Sequence, residues 1–201
     1  MGDLVLKGST SGQITVTPTA VAGTNTLTLP AKTGNIITSA DTGTVTQSML
    51  STNVAGNGPA FSAKMSTNQT IAHNTVTKIV LNDEIYDTNN CFDPTTNYRF
   101  TPNVAGYYFI SASVHFSNAA AKNLLMAPYI YKNGSGFFST QVSVLVGTGG
   151  DYCVFANALV YLNGSTNYIE LYAYQYDYTS SGSYTINAAS TLFTGALVRA
   201  G

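Results

Sequence analysis

The chain has 201 residues, a net charge of −1 and only 8% charged side chains, against a usual fraction near ~25%. This balance supplies no basic field for nucleic acid or anionic lipid, and no apolar run approaches the roughly 20 residues of a membrane-spanning helix. Thr, Val, Tyr and Phe are plentiful and helix-favouring Glu, Lys and Arg are scarce, so an all-β chain is expected, with a neutral polar surface prone to association.

Met1-Gly2-Asp3-Leu4 lacks the basic start and apolar run of a secretory signal. Leu6 also stands where myristoylation wants Ser or Thr. Production in a cytosol is expected, with any export as part of a larger particle. Residues 1–60 contain no Phe, Tyr or Trp. Such a segment cannot easily bury enough apolar area to offset chain entropy, so it is expected to pack on copies of itself or on a partner. Its alternating apolar pairs, Leu4 with Leu6, Ile14 with Val16 and Leu27 with Leu29, are fenced by turn residues and read as short strands. Residues 39–58, rich in Ser, Thr, Gly and Asn, read as a linker. The expected division is a stem or attachment segment over 1–58 and a head over 59–201.

Beyond Pro59, strands are expected over 61–65, 75–81, 98–101, 106–116, 124–132, 137–146, 152–162, 168–176 and 190–198. Asn133-Gly134 and Asn163-Gly164 are expected hairpin turns, because Asn-Gly supplies the two positive φ angles of the tight type I′ turn. This density of strands predicts a sandwich or jelly roll. In 106–116, Tyr108, Ile110, Ala112, Val114 and Phe116 share one face, while Tyr107, Phe109, Ser111, Ser113 and His115 share the other. In 168–178, Ile169, Leu171 and Ala173 oppose Tyr168, Glu170, Tyr172, Tyr174, Tyr176 and Tyr178. One reading is that these tyrosines sit half exposed. The other is that a second aromatic face packs on a neighbouring subunit, since Tyr is enriched at interface cores.

Catalysis is not expected. The chain has nine carboxylates and two histidines. His73 lies in a polar turn and reads as solvated. Ser113 and His115 share a strand face, but a two-residue step of roughly 7 Å is too long for direct activation. Asp83, Glu84, Asp87 and Asp93 read as an acidic loop face, with a weak cation site as the alternative. Cys91 and Cys153 lack metal-type spacing and read as reduced, buried thiols, with a single disulfide as the alternative. No cofactor or metal is expected.

Several segments carry a family resemblance. Gly58-Pro59-Ala60-Phe61-Ser62-Ala63 is followed by Tyr86-Asp87-Thr88-Asn89-Asn90-Cys91-Phe92-Asp93 and Tyr98-Arg99-Phe100-Thr101-Pro102. Next come Ala105-Gly106-Tyr107-Tyr108-Phe109-Ile110-Ser111, Ile130-Tyr131-Lys132-Asn133-Gly134 and the ending Ser190-Thr191-Leu192-Phe193-Thr194-Gly195-Ala196-Leu197. In this order the segments resemble the complement 1q-like globular head, a relative of the tumour necrosis factor jelly roll. The resemblance implies a ten-stranded jelly roll assembled as a homotrimer, with the last strands near the threefold axis. Together with the two-faced strands it places Tyr107, Phe109, Tyr172, Tyr174 and Phe193 at the expected trimer interface. Calcium is not carried over, because residues 184–189 lack the acidic cluster of the calcium-binding members.

Leu6-Lys7-Gly8-Ser9-Thr10-Ser11-Gly12 and Ala22-Gly23-Thr24-Asn25-Thr26-Leu27-Thr28-Leu29-Pro30-Ala31 resemble a segment recurrent in bacteriophage fibres. That resemblance implies a virion protein, made in the host cytoplasm and joined to other virion proteins through residues 1–58. The expected role is a trimeric tail-fibre head that binds a host-surface glycan or protein. A capsid-decoration or minor fibre protein is the alternative, and a polysaccharide-degrading spike is disfavoured by the absence of long repeats. The expected partner-binding loop is 176–184, carried by Asp177, Tyr178 and Tyr184, because its Tyr, Ser and Gly content resembles that of antibody loops.

Overall fold

The computed structural model describes residues 4–7, 9–16, 31, 50, 55–118, 123–145 and 150–201. The chain divides into two compact units, Met1–Asp41 and Thr42–Gly201. In the first unit, β1 (Leu4–Lys7) and β2 (Gln13–Val16) pair antiparallel, with Leu4 opposite Val16 and Lys7 opposite Gln13. These are the alternating pairs expected from sequence. Val5 and Leu6 alternate across the ribbon and are both exposed, so neither face is covered within it. A two-stranded ribbon of this length is marginal in water by itself. The expected strand around Leu27 and Leu29 lies outside the described residues.

The second unit is a sandwich of two seven-stranded sheets. The first contains β5 (Thr77–Lys78), β7 (Phe92–Asp93), β8 (Arg99–Phe100), β10 (Asn123–Lys132), β11 (Ser135–Ser139), β12 (Val142–Leu145) and β14 (Ile169–Asp177). Its order is β11-β10-β14-β8-β7, with β12 also on β10 and β5 on β14. The second contains β3 (Ala60–Lys64), β4 (Gln69–Ile71), β6 (Asp83–Asp87), β9 (Ala105–Asn118), β13 (Gly150–Asn163), β15 (Tyr184–Ile186) and β16 (Leu192–Ala200). There β9 carries β13 along one side, and β15 and β16 in succession along the other. β3 and then β6 follow β16.

The inward faces are the ones the alternation predicts. Tyr108, Ile110, Ala112, Val114 and Phe116 on β9, and Ile169, Leu171 and Ala173 on β14, are all 0% exposed. At the centre, Phe61 stacks on Phe100 with ring centroids 4.3 Å apart and meets Phe193 edge-on at 5.2 Å. The Tyr108 hydroxyl, buried beside Phe100, donates to the Val104 carbonyl at 2.7 Å.

Some expectations are corrected. Phe193 is 0% exposed and belongs to this aromatic centre, not to a subunit surface. The expected strand over 137–146 is two strands that pair with different stretches of β10. Asn133 and Gly134 form the two-residue hairpin, at φ 53° and 75°. The connection at Asn163 is not a hairpin, because β13 and β14 lie in different sheets. Gly164 alone takes a positive φ there, and the Asn163 carboxamide oxygen accepts from the Ser165, Thr166 and Asn167 amides. The acidic run is likewise no loop. Asp83–Asp87 is β6, at the end of its sheet, with Asp83 3.4 Å from the Lys64 ammonium. Charge suits such an edge because it discourages further strand pairing.

Candidate functional site

The outward face of the second sheet is apolar at one end. Alternation along β9 and β13 turns Tyr107, Phe109, Phe155, Leu159 and Tyr161 outward, each at least 42% exposed. Register sets Leu159 directly opposite Phe109, and Tyr161 opposite Tyr107 with ring centroids 5.4 Å apart. Ala196 of β16 flanks Phe109 on its other side. Tyr107 and Phe109 stand out in the sequence as the second phase of their strand, whereas Phe155, Leu159 and Tyr161 do not. The missed signal was the same one, an apolar residue at both phases of a period-two strand.

Toward its other end this face turns polar. Ser113 donates to the Ser190 carbonyl at 3.2 Å, and His115 Nε2 stands 3.4 Å from an Asp151 carboxylate oxygen. His115 Nδ1 is buried without a partner. Cys153 lies directly across from His115. Partial desolvation against the sheet raises the Cys153 thiol from its ordinary value, away from the nucleophilic thiolate, although the residue is exposed. The Ser113 hydroxyl donates to a carbonyl and the Cys153 thiol is raised, neither of which promotes nucleophilic attack. Cys153 is exposed, contrary to the buried thiol expected, whereas Cys91 is buried, and both are free.

The outward face of the first sheet is a field of tyrosines. Tyr172, Tyr174 and Tyr176 follow one another along β14, and β10 sets Tyr129 opposite Tyr172. Tyr131 stacks on Tyr172 at 4.1 Å, and Tyr129 lies edge-on to Tyr174 at 6.5 Å. All are half-buried. The Lys78 ammonium and the Glu170 carboxylate meet at 2.6 Å beside them. Arg99 places its guanidinium 4.2 Å above the Tyr168 ring. Tyr107 and Phe109 therefore face away from Tyr172 and Tyr174, on the other side of the sandwich, and no single flat interface takes all four.

The expected binding loop is largely structural. Asp177 is 3% exposed, and its carboxylate accepts from the Thr179 amide and hydroxyl and the Ser180 amide and hydroxyl. Tyr184 is 6% exposed and opens β15, with its hydroxyl 3.3 Å from the same carboxylate. Tyr178 alone of the three is exposed, its ring against Tyr176. His73 is not merely solvated: its Nδ1 accepts from the Asp177 amide at 3.3 Å and its ring packs on Tyr176.

A pocket of about 400 Å³ opens between the loops flanking β7 and β8, lined by residues that include Asn90, Asp93, Asn97 and Arg99. The Asp93 carboxylate is spent on its own turn. The Thr96 amide foremost, with the Thr95 amide, the Asn97 carboxamide and the Thr95 hydroxyl, donates to it and holds it well below the usual carboxylate range. Among the described residues no cluster of three His, Cys, Asp or Glu side chains is placed to hold a metal.

No family model and no curated protein matches the chain. Solved structures do. Murine APRIL at pH 5.0 superposes with a TM-score of 0.51 at 10% identity, over 70% of this chain and 98% of that one. The globular domain of zebrafish complement 1qA protein aligns at 19% identity with a TM-score of 0.46, over 71% of this chain and 99% of that one. Eiger TNF from S. frugiperda aligns at 9% identity with a TM-score of 0.49, over 71% and 92%. The APRIL likeness shows the fold: the second unit is an all-β jelly-roll sandwich like that of APRIL.

Proposed function

We propose that the chain is the self-associating, non-enzymatic recognition head of a bacteriophage fibre, a homotrimer attached to the virion through residues 1–58. The carrying observation is the apolar stripe around Phe109 and Leu159. Four side chains there, Tyr107, Phe109, Leu159 and Tyr161, expose together on the order of 400 Å², within the range of the largest patch on a typical monomer and about half the roughly 800 Å² that each partner buries in a standard interface. The stripe runs along β13, which among the described residues pairs with β9 alone. The neutral surface favours association. The viral part of the reading is supported by the fibre-like sequences around Gly8 and Gly23, and by a β1–β2 ribbon that leaves both faces uncovered.

Size-exclusion chromatography with light scattering on the full chain tests the assembly. Three times the chain mass is expected, and a clean monomer at micromolar concentration overturns the reading. Antibody labelling of particles carrying the chain then separates the tail fibre, the expected location, from the capsid shell.

A further inference from the structure

We infer that the outward face of the first sheet is a binding lane for a neutral polysaccharide, floored by Tyr129, Tyr131, Tyr172 and Tyr174. The inference deepens the recognition-head reading by naming a ligand class, and it does not depend on the number of subunits. Two-residue steps along β14 set Tyr172, Tyr174 and Tyr176 about 7 Å apart. β10 lays Tyr129 and Tyr131 alongside, so the rings make a lane two wide, running along the strands.

Charge decides which ligand this lane takes. The acid and base beside it, Glu170 and Lys78, neutralise each other at 2.6 Å, and the Arg99 guanidinium is laid over Tyr168. Among the described residues Arg99 has no carboxylate partner, so a nucleic acid, an anionic lipid or an acidic peptide finds a single counter-charge beyond Tyr168 and none along the lane itself, and desolvating the rest of its charge would cost affinity. A flat apolar protein surface is better matched by the Phe and Leu stripe on the other sheet. What remains on this lane is aromatic carbon ringed by neutral hydrogen-bonding groups. Tyr174 donates to the Asn74 carboxamide at 2.8 Å and keeps its acceptor lone pairs. The Gln141 amide lies 3.5 Å from the Tyr129 hydroxyl. A sugar ring has the complementary chemistry, a C–H face that lies on an aromatic ring and a rim of hydroxyls that both donate and accept. Burial also raises the Tyr172 and Tyr174 phenols.

The test is affinity electrophoresis of the full chain in native gels containing dextran, mannan or galactan, with heparin and polyglutamate as charged polymers. At least one neutral polymer is expected to retard the protein and the charged ones are not. Tyr129→Ala and Tyr174→Ala are each expected to weaken retardation about tenfold, the effect of losing one ring contact. Tyr86→Ser, a half-exposed tyrosine on the opposite sheet, is expected to leave it unchanged. Should either alanine variant unfold by circular dichroism, Tyr129→Phe and Tyr174→Phe replace them and are expected to weaken retardation severalfold. Failure of all three neutral polymers to retard the wild type overturns the inference, as do retardation by heparin alone and wild-type retardation of the folded lane variants. Light scattering on the same samples separates the two readings. A monomer that still binds a neutral polymer sinks the assembly and keeps the lane, and a trimer that binds none does the reverse.

Discussion

Lys78 and Glu170, 92 positions apart in the chain, bring their charged groups to 2.6 Å on the neighbouring strands β5 and β14, where the Glu170 side chain is only 7% exposed. The pair joins the short strand β5 to the centre of the first sheet. Removing one partner strands a nearly buried charge, whereas replacing both with apolar groups of similar size removes the problem. Lys78→Ala is expected to lower unfolding free energy by about 2 kcal/mol, below the value for a fully buried pair because the lysine is partly exposed. Lys78→Met combined with Glu170→Leu is expected to recover most of the loss. Urea titrations of the three proteins check the ordering.

Alkaline pH is expected to destabilise the head. Burial, the largest cause, raises the Tyr108 phenol well above its ordinary value and likewise raises the Cys91 thiol. Between the unfolded value, about 10 for tyrosine, and the raised folded value, the folded state holds a proton that the unfolded chain has released. Stability from this source is therefore full below about pH 10 and falls as pH rises toward the folded value. Tyr108→Phe removes this part of the alkaline loss and costs about 1–2 kcal/mol at pH 7, because it leaves the Val104 carbonyl without its donor. Urea midpoints at pH 7, 9 and 11 for both proteins measure the two effects.

The apolar stripe and the aromatic centre respond differently to substitution. Phe109→Glu with Leu159→Glu is expected to yield a folded monomer, since both side chains are about half exposed on the single chain and directly opposed. Phe193→Ala is expected to cost about 4 kcal/mol through the cavity it leaves against Phe61. Light scattering reports the first change and thermal melting the second. A trimeric double-glutamate variant would show that another surface holds the copies together.

Two turn glycines should tolerate alanine unequally. At Gly134, φ is +75° and an added Cβ would meet only the Tyr168 hydroxyl at 3.5 Å, so the cost is the left-handed backbone alone, about 1–2 kcal/mol. At Gly164, φ is +70° and the Cβ would lie 2.3 Å from the Ala105 nitrogen and 2.6 Å from the Val104 carbonyl carbon. Backbone cannot yield as a side-chain tip does, so Gly164→Ala is expected to lose more than Gly134→Ala by at least about 1 kcal/mol. Melting temperatures of the two variants compare them directly.

The sequence by itself determined the class, the order of the long strands and the inward face of each. Tyr108 through Phe116 and Ile169 through Ala173 alternate with period two, and only one phase carries no charged or hydrogen-bonding aliphatic side chain, so register follows from burial. It also determined the Asn133-Gly134 hairpin, because that turn needs nothing beyond its own two residues. Tertiary structure decided everything that depends on which strand lies beside which. Asn163-Gly164 has the same two letters and yet bridges two sheets, since β13 pairs with β9 and not with β14. Asp83–Asp87 becomes an edge strand only because β3 offers it a free ladder, which local composition cannot reveal. The outward aromatics are the plainest case. Period two tells which residues leave the core, but Tyr107 and Tyr172 look alike in sequence. The physical difference between them, an apolar stripe beside Leu159 and a hydroxyl-lined lane beside Lys78 and Glu170, comes from neighbours supplied by distant strands.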